Sequence, residues 1–216
     1  MWDHLSFVIK FSASGYGSSP SSYVCCPVAK VYSFCPVVGK SAKVLLLGSM
    51  PGVVSLDANE YYANPRNSFW RIMGNIIGFD PSAPYNARLE SLKRSGIALW
   101  DVLHSCARPG SADGAIELGT RVSNNFETFF RSHTGIKLVC FNGAEAEKSY
   151  KRYVWPELSK CEICYVRLPS SSSAFAALSF ERKLEAWRKA ICALQGASAD
   201  ASSVAPSVCR QALTLK

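Results

Sequence analysis

The sequence predicts a three-layer α/β/α domain built on a central four-stranded, mainly parallel sheet. Four short apolar runs recur along the chain. Segments of helical periodicity separate them, the alternation that sets strands side by side in parallel with helices over both faces. The 216 residues, 48% of them hydrophobic, with a mean hydropathy of +0.05, suit one soluble core of ordinary size.

The first strand is read over Lys43–Leu47. Apolar positions then recur at helical spacing over Asn67–Ile77 and Tyr85–Lys93, before a second apolar run over Ile97–Leu103. A helix over Phe126–Ser132 leads to the third run, Ile136–Phe141, and a helix over Ala144–Val154 leads to the strand-like Ile163–Leu168. A last helix gathers Phe180, Leu184, Trp187 and Ile191 on one face. Runs such as Val44–Leu47 fall far short of the ~20 residues that cross a bilayer, so no membrane partner is expected. In parallel sheets ligands bind beyond the carboxyl ends of the strands, which points to the segments after Leu47, Leu103, Phe141 and Leu168.

The flanks differ in composition. Residues 1–30 are Ser-rich and nearly uncharged, and residues 197–216 are rich in Ala and Ser, so both read as disordered or as extensions of a domain over 31–196. The N-terminal stretch has neither the arginines of a transit peptide nor the ordered regions of a secretory signal. Between the flanks lies most of the positive excess of 24 Lys+Arg over 16 Asp+Glu, a net +8. Such a surface attracts phosphate-bearing partners, although a merely basic soluble protein has the same balance. Nine cysteines, odd in number and partly inside apolar runs, suit buried thiols in a reducing, intracellular compartment. Cys161-Glu-Ile-Cys164 lacks a second ligand pair and reads better as strand than as half a metal site.

Two segments stand at strand ends. Gly48-Ser49-Met50-Pro51-Gly52 lets the backbone approach a ligand closely, and the following Tyr61-Tyr-Ala-Asn-Pro-Arg-Asn-Ser-Phe-Trp70 adds aromatic faces and the amide of Asn67. Leu168-Pro-Ser-Ser-Ser-Ser-Ala174 offers hydroxyls and N–H groups suited to phosphate oxygens. Taken singly, the first is an ordinary βα turn and the second an ordinary linker. Their co-occurrence at two strand ends of one small domain favours a site.

These segments, with Gly96-Ile-Ala-Leu-Trp-Asp-Val-Leu103 and Phe141-Asn-Gly143, carry a resemblance to the uracil-DNA glycosylase superfamily and most closely to its hypoxanthine (deoxyinosine) branch, over roughly residues 33–194. The resemblance implies the fold of that superfamily and a monofunctional enzyme, without metal or cofactor, that flips a deaminated base out of DNA and hydrolyses its N-glycosidic bond. It implies that Tyr62 stacks on the flipped base and that Asn67 positions the attacking water. It further implies that Gly48, Ser49, Met50, Pro51 and Gly52 line the base pocket with Asn142, and that Ser170, Ser171 and Ser172 hold phosphates. Asn67 is equally a favoured helix N-cap, and Asn142-Gly143 equally a turn. Relatives often place Asn or Asp where Met50 stands, which shifts the water-positioning duty onto Asn67; they usually have Pro where Ser173 stands. Arg108 and Lys148 are candidate phosphate contacts, and His104 reads as a surface or supporting histidine.

The expected partner is double- or single-stranded DNA containing deaminated bases, bound by a monomer in the bacterial cytoplasm or in a eukaryotic nucleus or organelle. Three other readings stay open: a mismatch-specific uracil or thymine glycosylase, a DNA-binding relative without catalysis, and an enzyme of small phosphorylated metabolites.

Overall fold

The computed structural model describes residues 28–158 and 163–196. The expectations for residues 1–27, for 197–216 and for Cys161 lie outside the described residues. In chain order the elements are β1 (Lys30–Tyr32), β2 (Val44–Gly48), α1 (Val53–Ala58), α2 (Phe69–Ile77), α3 (Tyr85–Arg94), β3 (Ile97–Asp101) and β4 (Leu103–Ala107). Then come β5 (Val122–Ser123), α4 (Phe126–Ser132), β6 (Leu138–Asn142), α5 (Ala144–Tyr153), β7 (Cys164–Leu168) and α6 (Phe180–Gly196).

The central sheet runs β3-β2-β6-β7 and every neighbouring pair is parallel. Alternation along β2 divides the core. Leu45 and Leu47 point to the side covered by α4 and α5, with Phe126, Phe129, Phe130 and Tyr150. Val44 and Leu46 point to the side covered by α2, α3 and α6, with Phe69, Ile72, Leu92 and Trp187. All five residues of β2 are buried, as a strand covered on both faces requires. This is the three-layer α/β/α arrangement the apolar runs predict. Among the described residues no helix is long and apolar enough to cross a membrane.

Two expectations need correction. The apolar run Ile97–Leu103 is not one strand: β3 ends at Asp101, and from Leu103 the chain enters a second, three-stranded antiparallel sheet, β1-β4-β5. Val102 and Leu103 donate their N–H groups to the carbonyls of Gly48 and Ser49, which bends the chain across the end of β2. Because both sides of the bend are buried, hydropathy alone does not mark it. The short helix α1 was also not foreseen; its six residues are too few to show a period. Cys164 begins β7, consistent with the strand reading of the Cys-x-x-Cys segment.

Parallel register then sets the site. Gly48 lies opposite Asp101, and Asn142 opposite Leu168, so the ends of all four strands form one rim. The connections leaving β2, β6 and β7 start from that rim, and the turn after β3 crosses it.

Candidate active site

The rim holds a cleft of about 170 Å³. A dry cavity of about 150 Å³ already accepts a benzene ring, so this is space for a flat ring system. Its walls include the eleven residues to which the resemblance assigns catalysis, base binding or phosphate binding: Gly48, Ser49, Met50, Pro51, Gly52, Tyr62, Asn67, Asn142, Ser170, Ser171 and Ser172. Also present, and missed, are Asp101, Ser111 and Asp113.

Asn142 organises one wall. Its Nδ2 donates to the Tyr62 hydroxyl at 3.0 Å and to Ser171 Oγ at 2.8 Å, while its Oδ1 accepts from the Ser171 N–H at 2.8 Å. A backbone N–H can only donate, which fixes the orientation of the amide. Both amide hydrogens are therefore committed within the protein, and the open base-reading edge expected of Asn142 is instead a brace. Replacing Asn142 by Ala removes all three bonds and strands the Ser171 N–H. Urea denaturation is expected to show a loss of about 2–3 kcal/mol; an unchanged midpoint would refute the bracing role.

Tyr62 adopts φ 54°, the left-handed region that side chains rarely occupy. It is held there from several sides. Its ring stacks on Phe69 at 3.9 Å between centroids, its hydroxyl accepts from Asn142, and the adjacent Ala63 N–H donates to Ser55 Oγ at 3.1 Å. Burial pushes the phenol well above its ordinary pKa, so it stays neutral.

Asn67 also lines the cleft. The helix starts at Phe69, one residue later than an Asn67 cap predicts, with Ser68 in the capping position. Asn67 nonetheless serves the helix start, accepting the Phe69 N–H on Oδ1 at 3.0 Å. That bond uses one lone pair of the amide oxygen and leaves a second.

The serine loop splits by role. Ser171 is 1% exposed and bonded to Asn142, so it braces the loop and cannot meet a phosphate as expected. The hydroxyls of Ser170 and Ser172 accept the N–H groups of Ser172 and Ala174, and each keeps its own proton to donate. Three groups anchor this loop, and only the first lies in a segment the sequence singles out: Ser68 donates through N–H and Oγ to the Ser171 carbonyl, Lys183 donates Nζ to the carbonyls of Ser172 and Phe175, and Trp187 donates Nε1 to that of Pro169. Lys183 and Trp187 lie on α6, where helical periodicity reads them as a solvated charge and a core aromatic.

The first loop is clamped by the segment after β4. Arg108 donates to the Pro51 carbonyl, Ser111 Oγ accepts the Val53 N–H at 2.8 Å, and Asp113 accepts from Ser49 Oγ at 2.8 Å. Arg108 is 3% exposed and 3.7 Å from Asp113, so it is a buried clamp and not the phosphate contact anticipated. Met50 turns into the core on the α4 side. Lys148 lies away from the cleft on α5, in a shallow groove with Lys151 and Arg167, while His104 is exposed on β4 with its ring edge-on to Tyr32.

Asp101 is the one buried carboxyl in the cleft. Burial, reinforced by the nearby Asp113 and opposed by Arg108, pushes its pKa up to about 8. Burial likewise raises Asp113, against the hydrogen bond from Ser49 and the nearby positive charge of Arg108.

Comparison with known proteins adds a family context. The model of the uracil DNA glycosylase superfamily matches residues 35–195. A hypoxanthine DNA glycosylase of Methanosarcina barkeri (strain Fusaro / DSM 804) is 42% identical over 118 residues, covering 54% of this chain and 73% of that protein. A hypoxanthine DNA glycosylase of Methanosarcina acetivorans is 35% identical over 153 residues, covering 70% of this chain and 92% of that protein. The solution NMR structure of a candidate uracil DNA glycosylase from Methanosarcina acetivorans matches with a TM-score of 0.65 at 32% identity, covering 77% of this chain and 99% of that one.

Proposed function

The chain belongs to the uracil DNA glycosylase superfamily and acts on DNA as a glycosylase of deaminated bases, and from that premise we propose that it hydrolyses the N-glycosidic bond of deoxyinosine, releasing hypoxanthine. The observation that carries this reading is the convergence of the first loop, the Tyr62–Asn67 segment, Asn142 and the serine loop on one ring-sized cleft.

In this reading the flipped base enters between the first loop and Tyr62, whose ring, backed by Phe69, offers a stacking face. The amide oxygen of Asn67 uses its remaining lone pair to orient water toward C1′. Departure of the base leaves positive charge on the sugar, so the water needs orientation more than a strong base. Ser170 and Ser172 donate to the phosphate beside the extruded nucleotide. Exposed Val53 and Val54 at the start of α1, and exposed Phe175 after the serine loop, are apolar groups of the kind that fills a vacated base stack.

A single-turnover assay tests the substrate. End-labelled duplexes and single strands carrying inosine, uracil or xanthine are incubated with the protein, and alkali then cuts abasic sites. Cleavage at inosine in excess of uracil is expected. Preference for uracil would move the assignment to the mismatch-specific branch, since the cleft also has room for a pyrimidine. DNA binding without product at any base would indicate a relative that has lost catalysis.

A further inference from the structure

Asp101 ends β3 opposite Gly48, lines the cleft and is 3% exposed. Its Oδ2 is buried with no hydrogen-bond partner. Buried polar atoms are nearly always paired, so an unpaired carboxyl oxygen on a residue that lines the cleft is a place where a water or a ligand completes the pairing. The absence of a side chain at residue 48 is what admits it: a Cβ on Gly48 would sit 2.4 Å from Asp101 Oδ1 and 3.2 Å from the Tyr62 hydroxyl. Meanwhile the amide hydrogens of Asn142 are spent on Tyr62 and Ser171, so they are not free to meet a base.

We propose that Asp101 contacts the flipped base directly, donating its carboxyl O–H to a carbonyl oxygen or ring nitrogen of that base as the glycosidic bond breaks. The inference rests on the glycosylase reading and deepens it. When the bond from C1′ to the base nitrogen breaks, its electron pair stays on the base and spreads over the ring nitrogens and carbonyl oxygen. A neutral O–H donor then gains strength, whereas a carboxylate in the same place would repel the charge. The oxygen of water bonds to C1′ and releases a proton, the departing base takes up a proton, and Asp101 keeps its own throughout. The carbonyl that deamination creates is itself an acceptor for such a donor.

The groups facing Asp101 fit this role. Burial and Asp113 hold the carboxyl neutral, Arg108 opposes them, and the phenols of Tyr61, Tyr62 and Tyr85 are all raised. With a pKa of about 8, the donor is present at neutral pH and is lost as pH rises through that value.

The test is the single-turnover rate on an inosine-containing duplex from about pH 6 to 9.5, at saturating protein, with DNA binding followed by fluorescence anisotropy. The unmodified chain is expected to show a plateau that falls above about pH 8, approaching tenfold per pH unit. Asp101→Asn keeps a neutral donor of the same shape, so it should retain the rate within about tenfold and lose the alkaline fall. Asp101→Ala should be about 10²-fold slower at neutral pH. Asp113→Asn removes a charge that helps keep Asp101 protonated, so the fall should move to lower pH.

A rate that is flat or rises through pH 8, a fall that persists in Asp101→Asn, or a full rate in Asp101→Ala would each overturn the inference while leaving the glycosylase reading intact. If Asp101→Ala does not fold, the near-isosteric Asn variant still decides. Absence of abasic product from the unmodified chain at every pH would overturn the glycosylase reading and this inference with it.

Discussion

Replacing Asn67 by Ala is expected to lower single-turnover excision of hypoxanthine by about 10²–10³-fold while leaving DNA affinity nearly unchanged. Asn67 lines the cleft, and the second lone pair of its amide oxygen is the feature suited to orient water. The same substitution removes the bond to the Phe69 N–H, at a cost of about 0.5–2 kcal/mol. At about 2–4 °C per kcal/mol in a chain of this size, the melting temperature should drop by a few degrees only. Asn67→Asp separates the two roles, because a carboxylate oxygen still accepts the Phe69 N–H. It should recover the melting temperature whatever it does to the rate. Equal losses of binding and excision in Asn67→Ala would remove Asn67 from the reaction and leave it a helix-start residue.

Gly48→Ala is the second large effect expected. Its backbone needs no left-handed conformation, so the penalty comes from space: the new Cβ meets the Asp101 carboxyl oxygen Oδ1 at 2.4 Å and the Tyr62 hydroxyl at 3.2 Å. Both belong to packed side chains, one at a strand end and one stacked on Phe69. Overpacking of this kind costs about 1–3 kcal/mol, and displacing two cleft groups should lower excision by about 10²-fold. Gly78→Ala is the informative comparison. Gly78 has φ 77° with nothing within 4 Å of an added Cβ, so its substitution strains the backbone by about 1–2 kcal/mol without touching the cleft. If both variants lost activity in proportion to stability, the special place of Gly48 would be refuted.

Much of the fold is legible in the residues alone, because the signals are local and repeated. The central strands are apolar on both faces, as in Val44–Leu47, and helices such as Phe126–Ser132 begin and end where their period does. The bend at Val102 is hidden for the converse reason. Buried residues flank it on both sides, and its cause is a pair of hydrogen bonds to Gly48 and Ser49, far away in sequence. The cleft shows the same division. Gly48–Gly52, Asn67 and the serine loop have unusual local composition at strand ends, whereas Asp101 sits inside an apolar run and Lys183 on an amphipathic helix, where composition reads as packing or solvent.

What the sequence determined by itself is the layer order, the strand ends that border the cleft, and the family, since apolar period and motif order survive without any coordinates. Only the tertiary structure decided which side of each polar residue faces the cleft. Asn142 and Ser171 have the chemistry of ligand-binding groups, yet their hydrogen bonds are satisfied inward, by Tyr62 and by each other. Asp101 has the setting of a core residue, yet one of its oxygens is left without a partner. A polar side chain acts on a ligand only with the valence that the fold leaves unused, and that remainder is set by contacts across the sheet rim between residues far apart in the chain.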